Sequence, residues 1–196
     1  MPDIGDRSPV PWAWYTLALV IVVADQGSKW LASASLSYSS PVPVFFWFNL
    51  TLHHNEGAAF SFLSGAGGWQ RWFFSILALG VSAAIAWWLS RPDARQRALA
   101  LGLSLVLGGA LGNLVDRIRL GYVVDFISVH YRDWYFPTFN VADAAISVGA
   151  AFIILDSFLG GPDRGSSGQG DSGNGASLGA ARNSAKRDDA GRSDSA

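Results

Sequence analysis

Four stretches of this chain are each about as long as a bilayer is thick and nearly free of charge. Ser8 to Ala24 holds no charged residue and continues in helical character through Asp25-Gln26-Gly27-Ser28-Lys29 to about Ala34. Trp72 to Ser90 and Ala98 to Val115 are uncharged, and a fourth run extends from about Asn140 to Gly160. About 20 apolar residues in a helix cross the hydrocarbon core. Lipid leaves no water to satisfy an exposed backbone, so such runs have few alternatives to helix. The pattern predicts a mainly α membrane protein with spans over about 12–34, 70–90, 98–116 and 140–160. The third span is rich in Gly and Ala, which lets helices approach closely.

Composition supports this reading. The chain of 196 residues is 50 % hydrophobic and 15 % charged, against about 25 % charged in ordinary soluble domains. Many of its nine tryptophans and five tyrosines flank the apolar runs, where amphipathic rings favour the membrane–water interface. The first run lacks a strongly basic leader, and Asp25 interrupts where a small-residue cleavage site would follow, so it reads as a span and not a cleaved signal peptide. With no cysteine, disulfides, thiolate metal sites and a cysteine nucleophile are excluded. From Pro162 onward the chain is mostly Gly, Ser, Ala, Asn, Asp, Arg and Lys without an aromatic residue, so a membrane unit over 1–161 and a disordered tail over 162–196 are expected. The tail's charges balance, which gives no nucleic-acid signal.

Basic residues in short loops set orientation. The link between spans two and three, Arg91-Pro92-Asp93-Ala94-Arg95-Gln96-Arg97, is arginine-rich and is expected on the cytoplasmic side, as are both termini. The segment from Ser35 to Gln70 has no Lys or Arg and is expected outside, with Asp116 to Phe139. Arg117, Arg119 and Arg132 in the latter oppose the rule, either because carboxylates bind them or because the rule bends there. Within the outer segment 35–69, Val42 to Leu52 has strand composition, and Gly57 to Leu63 is a second candidate strand. A small sheet on the outer leaflet is one reading and an amphipathic stretch without regular strands is the other.

Against this apolar background, two aspartates stand out. Asp125 lies within Gly121-Tyr122-Val123-Val124-Asp125-Phe126-Ile127, and Asp143 opens the fourth span in Asn140-Val141-Ala142-Asp143. A carboxylate at the centre of a membrane helix costs about 2.5–3.5 kcal/mol on insertion scales, so such residues usually serve a function. Two brought together make a general acid/base pair. Each also has a plainer reading. Asp125 could pair with Arg117 or Arg119, and Asp143 falls at the third helical position after a good cap, Asn140, where a carboxylate is favourable.

Other motifs are similarly balanced. Asn113, Asp116 and Arg117 share one helix face and either bind a peptide backbone or tie the helix end together, with Arg117 neutralising Asp116 or Asp125. The glycines of Gly108-Gly109-Ala110-Leu111-Gly112 suit helix packing. Asp25 and Lys29 stand at salt-bridge spacing. Ser28 and Lys29 are adjacent and diverge by about 100 degrees on a helix, which argues against a Ser/Lys hydrolase. His53 and His54 would point to opposite faces of a strand, and the only further histidine is His130, so ligand spacing argues against a metal site.

Taken together, Asp25-Gln-Gly-Ser-Lys29, Asn49-Leu-Thr-Leu, Asn55-Glu-Gly-Ala-Ala-Phe-Ser-Phe62, Gly108 through Arg117, Gly121 through Ile127 and Phe139-Asn-Val-Ala-Asp143 resemble the lipoprotein signal peptidase (signal peptidase II) family. The likeness covers about residues 12–160, in family order. Glu56 stands where family members often carry Thr. The resemblance implies an aspartic endopeptidase of the bacterial inner membrane with no cofactor. It would remove the signal peptide from prolipoproteins before a cysteine that carries diacylglycerol. Its implied fold is four transmembrane helices with a small β-cradle and a short amphipathic helix on the outer face. Carried over, Asp125 and Asp143 are the catalytic pair. Asn113, Arg117 and Asn140 would hold the substrate backbone or the cyclic peptide inhibitor globomycin. Asn55 and Gly57 would line the site, Asp25 and Lys29 would serve structure or binding, and Asp116 would support. The rival reading is a polytopic transporter or proton relay, which would space its polar residues through the bilayer depth. The polar residues here map instead to the outer ends of spans.

Overall fold

The computed structural model describes residues 11–57, 68–90 and 97–159. Four helices, α1 (Pro11–Ser35), α2 (Trp69–Leu89), α3 (Arg97–Arg119) and α4 (Val141–Leu159), are long and apolar enough to cross a membrane. They match the predicted spans, except that α3 runs on to Arg119. It ends where Leu120 N–H donates to Asp116 O at 2.7 Å and Gly121 turns the chain at φ 90°, the left-handed geometry that commonly closes a helix. The arginine-rich link over 91–96, the candidate strand beyond Gly57 and the tail over 162–196 lie outside the described residues.

Helix α3 is the central element and packs against α1, α2 and α4. Its buried face is built of small residues: Ala100, Gly102, Ser104, Gly108, Gly109, Ala110 and Gly112. A Cβ added at Gly109 would strike the backbone carbonyl of Ala142, and one at Gly108 would lie 2.7 Å from Ala18 O. Gly102 and Gly149 face each other across α3 and α4, where each added Cβ would meet the other's carbonyl at 2.7 and 2.6 Å. The glycines therefore set backbone-to-backbone approach, as small residues do at membrane helix interfaces. Leu19, Val23, Trp72, Ile76, Leu79, Ile154 and Leu155 are exposed on the outer faces of the other helices, as lipid-facing residues should be.

The small sheet is antiparallel, in the order β1 (Val42–Phe45), β2 (Phe48–Asn55), β3 (Val123–Tyr131), β4 (Trp134–Tyr135). The expected strand over 42–52 is in fact a hairpin: Phe45 pairs with Phe48 around Phe46-Trp47, and β2 continues to Asn55. Strand β3, which carries Asp125, falls in a segment for which the sequence pattern indicates no strand. It pairs with β2 in a register that places His53 opposite Asp125 and Asn55 opposite Val123. Phe139 is bonded to β3 through Ile127 N–H to Phe139 O at 2.8 Å and Phe139 N–H to Ile127 O at 3.0 Å. That bridge fixes the start of α4 beside Asp125.

Candidate active site

Asp125 sits in the middle of the sheet, almost fully buried. Each of its oxygens accepts one amide hydrogen bond, Oδ1 from Asn140 Nδ2 at 2.7 Å and Oδ2 from Asn55 Nδ2 at 3.0 Å. Asn55 is itself fixed, because its Oδ1 accepts the backbone N–H of Gly57 at 2.9 Å. Gly57 stands at φ 94°, a conformation that glycine adopts at little cost.

Asp143 is held from two sides. Its Oδ1 accepts from Asn113 Nδ2 at 2.8 Å, and its Oδ2 accepts from the backbone N–H of Asn140 at 3.3 Å. In return, Asn140 Oδ1 accepts the Asp143 N–H at 2.9 Å. This is a reciprocal capping arrangement at the start of α4, so the plain capping reading of Asp143 holds. Asn140 nonetheless reaches further: its side-chain amide also contacts Asn113 Oδ1 at 3.2 Å and Val124 O at 3.3 Å. One residue thus caps a helix and bridges both carboxylates.

Beneath the pair lies a buried ionic layer. Lys29 Nζ is 2.8 Å from Asp25 Oδ2, 2.9 Å from Asp116 Oδ2 and 2.9 Å from Asn113 Oδ1. The three donors of an ammonium are therefore all used. Asp25 Oδ1 accepts the N–H of Ala142 at 2.9 Å, and Asp116 Oδ2 accepts the N–H of Val124 at 3.1 Å. Gln26, which the sequence motif contained but gave no role, donates to Asp116 Oδ1 at 2.8 Å and to Gly112 O at 3.2 Å. The layer ties α1, α3, β3 and the start of α4 together. It also orients Asn113, whose oxygen must face Lys29, so that its NH₂ points at Asp143.

Arg117 differs from the expected ion pairs. Among the described residues it forms no salt bridge with Asp116 or Asp125, because Lys29 occupies Asp116. Its guanidinium lies over the ring of Phe74, 5.3 Å from the centroid, and donates one long bond to Asn113 O at 3.4 Å. Arg119 is exposed at the end of α3 and is likewise unpaired among the described residues. Ser28 Oγ donates to Asp25 O at 2.9 Å, while Lys29 Nζ is taken up by Asp25, Asp116 and Asn113. His53 Nδ1 contacts Thr138 Oγ1 at 3.0 Å, while His54 stacks on Tyr122 with ring centroids 4.1 Å apart.

The electrostatics of Asp125 follow from this geometry. Burial, and then the nearby charge of Asp143, push its carboxyl up from 3.8 to about 6; the amide bonds from Asn55 and Asn140 and the charge of Lys29 oppose the rise. Two close carboxylates in a dry setting resist joint ionisation.

A multi-pass membrane protein with two amide-held carboxylates in one cluster at one end of its helices falls in the class of membrane-embedded aspartic peptidases. The sequence pattern described as "Signal peptidase (SPase) II" matches residues 17–159. A lipoprotein signal peptidase of Acinetobacter baumannii is 53 % identical over 145 residues, covering 74 % of this chain and 82 % of that protein. One from Pseudomonas aeruginosa is 51 % identical over 160 residues, covering 81 % and 94 %. A solved bacterial membrane enzyme at 1.9 Å superposes with a TM-score of 0.67 at 28 % identity, covering 74 % of this chain and 92 % of that one. The chain belongs to the signal peptidase II family, and it is a peptidase.

Proposed function

We propose that this peptidase removes the signal peptide from diacylglyceryl-modified bacterial prolipoproteins, cutting before the lipidated cysteine, with Asp125 and Asp143 as its catalytic pair. The observation that carries the assignment is Asn140, which contacts both carboxylates. In this mechanism one carboxylate of the pair is ionised and the other carries a proton. The ionised carboxylate takes a proton from water as the water oxygen attacks the scissile carbonyl. The protonated carboxylic acid donates a hydrogen bond to the developing oxyanion, and the leaving amine departs with a proton from the pair. Asn55, Asn113 and Asn140 hold the carboxylates in place with neutral donors, which leaves the charge balance of the pair undisturbed. Arg117 retains most of its donors for a substrate carbonyl, and a globomycin-type cyclic peptide would compete for the same groups.

The buried charged residues among the described ones, Asp25, Lys29, Asp116 and Asp125, fall into one cluster. A transporter or proton relay would need such groups spread through the spans. A cluster at one end suits a substrate whose acyl chains lie in the outer leaflet of the inner membrane, with the site facing the periplasm and both termini in the cytoplasm. The chain has no cysteine, so single cysteines report this orientation directly. With a membrane-impermeant maleimide on spheroplasts, Asp133→Cys should label and Ala94→Cys should not; the reverse pattern would sink the orientation. The peptidase unit ends near residue 161 on this reading, so truncation after Gly161 should keep full activity.

The deciding experiment is cleavage of a diacylglyceryl prolipoprotein by the purified protein, Asp125→Asn and Asp143→Asn, with folding and substrate binding checked. Both variants should bind and fail to cut. Near-normal turnover by either would make that aspartate structural.

A further inference from the structure

Phe74 stands between two groups the site depends on, although nothing in its sequence context marks it out. It is half-buried on the inner face of α2, in a run of aromatic residues, edge-to-face with Phe73 at 5.3 Å. One side of its ring is closed by Gly57. A Cβ on Gly57 would lie 2.8 Å from Phe74 Cε2 and 2.9 Å from Cδ2, so the ring fills the space that a side chain would need. The guanidinium of Arg117 lies over the ring, 5.3 Å from its centroid, which is cation–π range.

Arg117 has little else to fix it. Its one hydrogen bond among the described residues is the 3.4 Å contact to Asn113 O, at the edge of useful geometry. The carboxylates of Asp143, Asp125 and Asp116 attract it, but none is within ion-pair distance among the described residues. Left to that attraction, a flexible guanidinium would collapse onto the pair and neutralise it. An aromatic face holds the same cation with no hydrogen bond of its own, and therefore leaves the N–H donors free for a ligand. Glycine at 57 keeps the ring from being displaced.

We infer that Phe74 is a positioning residue for the peptidase reaction. Wedged against Gly57, it holds Arg117 beside the carboxylate pair with its donors open for a substrate carbonyl. This rests on the proposed reading of the site, in which Arg117 binds substrate.

The test compares the full-length enzyme carrying Phe74→Leu, Phe74→Tyr or Arg117→Gln, and the Phe74→Leu/Arg117→Gln pair, on a diacylglyceryl prolipoprotein. Phe74→Leu should raise KM about tenfold, or about 1.4 kcal/mol, with kcat changed less than about twofold. Phe74→Tyr keeps the π face and should restore KM to within about twofold. In the Arg117→Gln background, Phe74→Leu should add less than about twofold, because its partner is gone. A normal KM in Phe74→Leu, or the same tenfold loss with Arg117 removed, would overturn the proposal. If Phe74→Leu does not fold, Phe74→Met, which refills the volume without a π face, carries the same expectations. Failure of both to fold while Phe74→Tyr folds would make the ring purely structural and would also overturn it. Loss of cleavage in Asp125→Asn and Asp143→Asn alongside a negative result here would leave the peptidase reading intact.

Discussion

Asn140 donates through its side-chain amide to Asp125 Oδ1 at 2.7 Å. The residue that begins α4 is thus also the one that orients a carboxylate on a strand, and its backbone N–H reaches Asp143 at 3.3 Å. Cap and carboxylate pair cannot be separated by mutation at this position, but their consequences can be.

Asn140→Ala should therefore show two effects of different kind. Loss of the cap costs about 1 kcal/mol of stability. Loss of the donor removes a bond that favours ionised Asp125, so the alkaline limb of the kcat/KM profile should move to higher pH. At its pH optimum the variant should still be slower by about tenfold, or about 1.4 kcal/mol, because the carboxyl is no longer oriented. A pH–rate profile with an unmoved alkaline limb would show that Asn140 acts only on the helix.

The elevated Asp125 carboxyl gives a pH dependence with a definite sign. Its folded value, about 6, lies above the ordinary 3.8. The fold therefore binds this proton more tightly than the unfolded chain does. The stabilisation is fully present below about 3.8 and is lost as the pH rises through about 6. Asp125→Asn should consequently show a smaller fall in unfolding temperature between pH 4 and pH 8 than the wild type does. Wild-type activity should fall as the pH rises through about 6, because Asp125, raised by burial and by the charge of Asp143, then loses the proton that the pair needs. Thermal unfolding in detergent at the two pH values checks the first expectation, and the rate profile checks the second.

Lys29→Met would leave Asp25 and Asp116 buried without their cation. Breaking a buried pair from one side typically costs about 3–5 kcal/mol, so a large drop in unfolding temperature is expected. The triple variant Asp25→Asn/Lys29→Met/Asp116→Asn removes the charges together and should recover much of that loss. A single variant as stable as wild type would mean that the ionic layer contributes nothing to holding the bundle.

Gly109→Ala puts a methyl against the Ala142 carbonyl and 2.7 Å from Ile146 Cγ1. Backbone cannot yield as a side-chain tip does, and overpacking of this kind costs about 1–3 kcal/mol. Gly80→Ala is the matched control, since its Cβ would meet nothing within 4 Å. It should be neutral or stabilising by up to about 1 kcal/mol from helix propensity. Equal unfolding temperatures for the two variants would refute the packing account.

The spans were legible because charge is sparse in them, and the α4 cap because Asn140 and Asp143 have the spacing of a capping pair. The Asp25–Lys29 contact was legible for the same reason, as an i, i+4 pair on one helix. What spacing does not carry is contact between elements. Val123-Val124-Asp125-Phe126-Ile127 is an apolar run without alternation, so its periodicity does not distinguish strand from helix. The β1–β2 turn, Phe46-Trp47, has none of the Gly, Asn or Asp residues that announce a hairpin. Arg117 had several acidic partners in sequence, yet Lys29 reaches Asp116 first and an aromatic from α2 takes the guanidinium. Phe74 was one ring among many, and only the approach of Gly57 gives it a distinct place.

The Lys29 layer also bears on how such a chain is assembled in a bilayer. Asp25 and Lys29 meet within α1 itself, at 2.8 Å, so the first helix can enter lipid with its two charges already cancelling. Asp116 has no such companion on α3 and reaches its cation only across the bundle, at 2.9 Å. Relief of that unpaired charge rewards docking of α3 on α1 in one register. The ion cluster therefore favours one register of α3 against α1 over its neighbours.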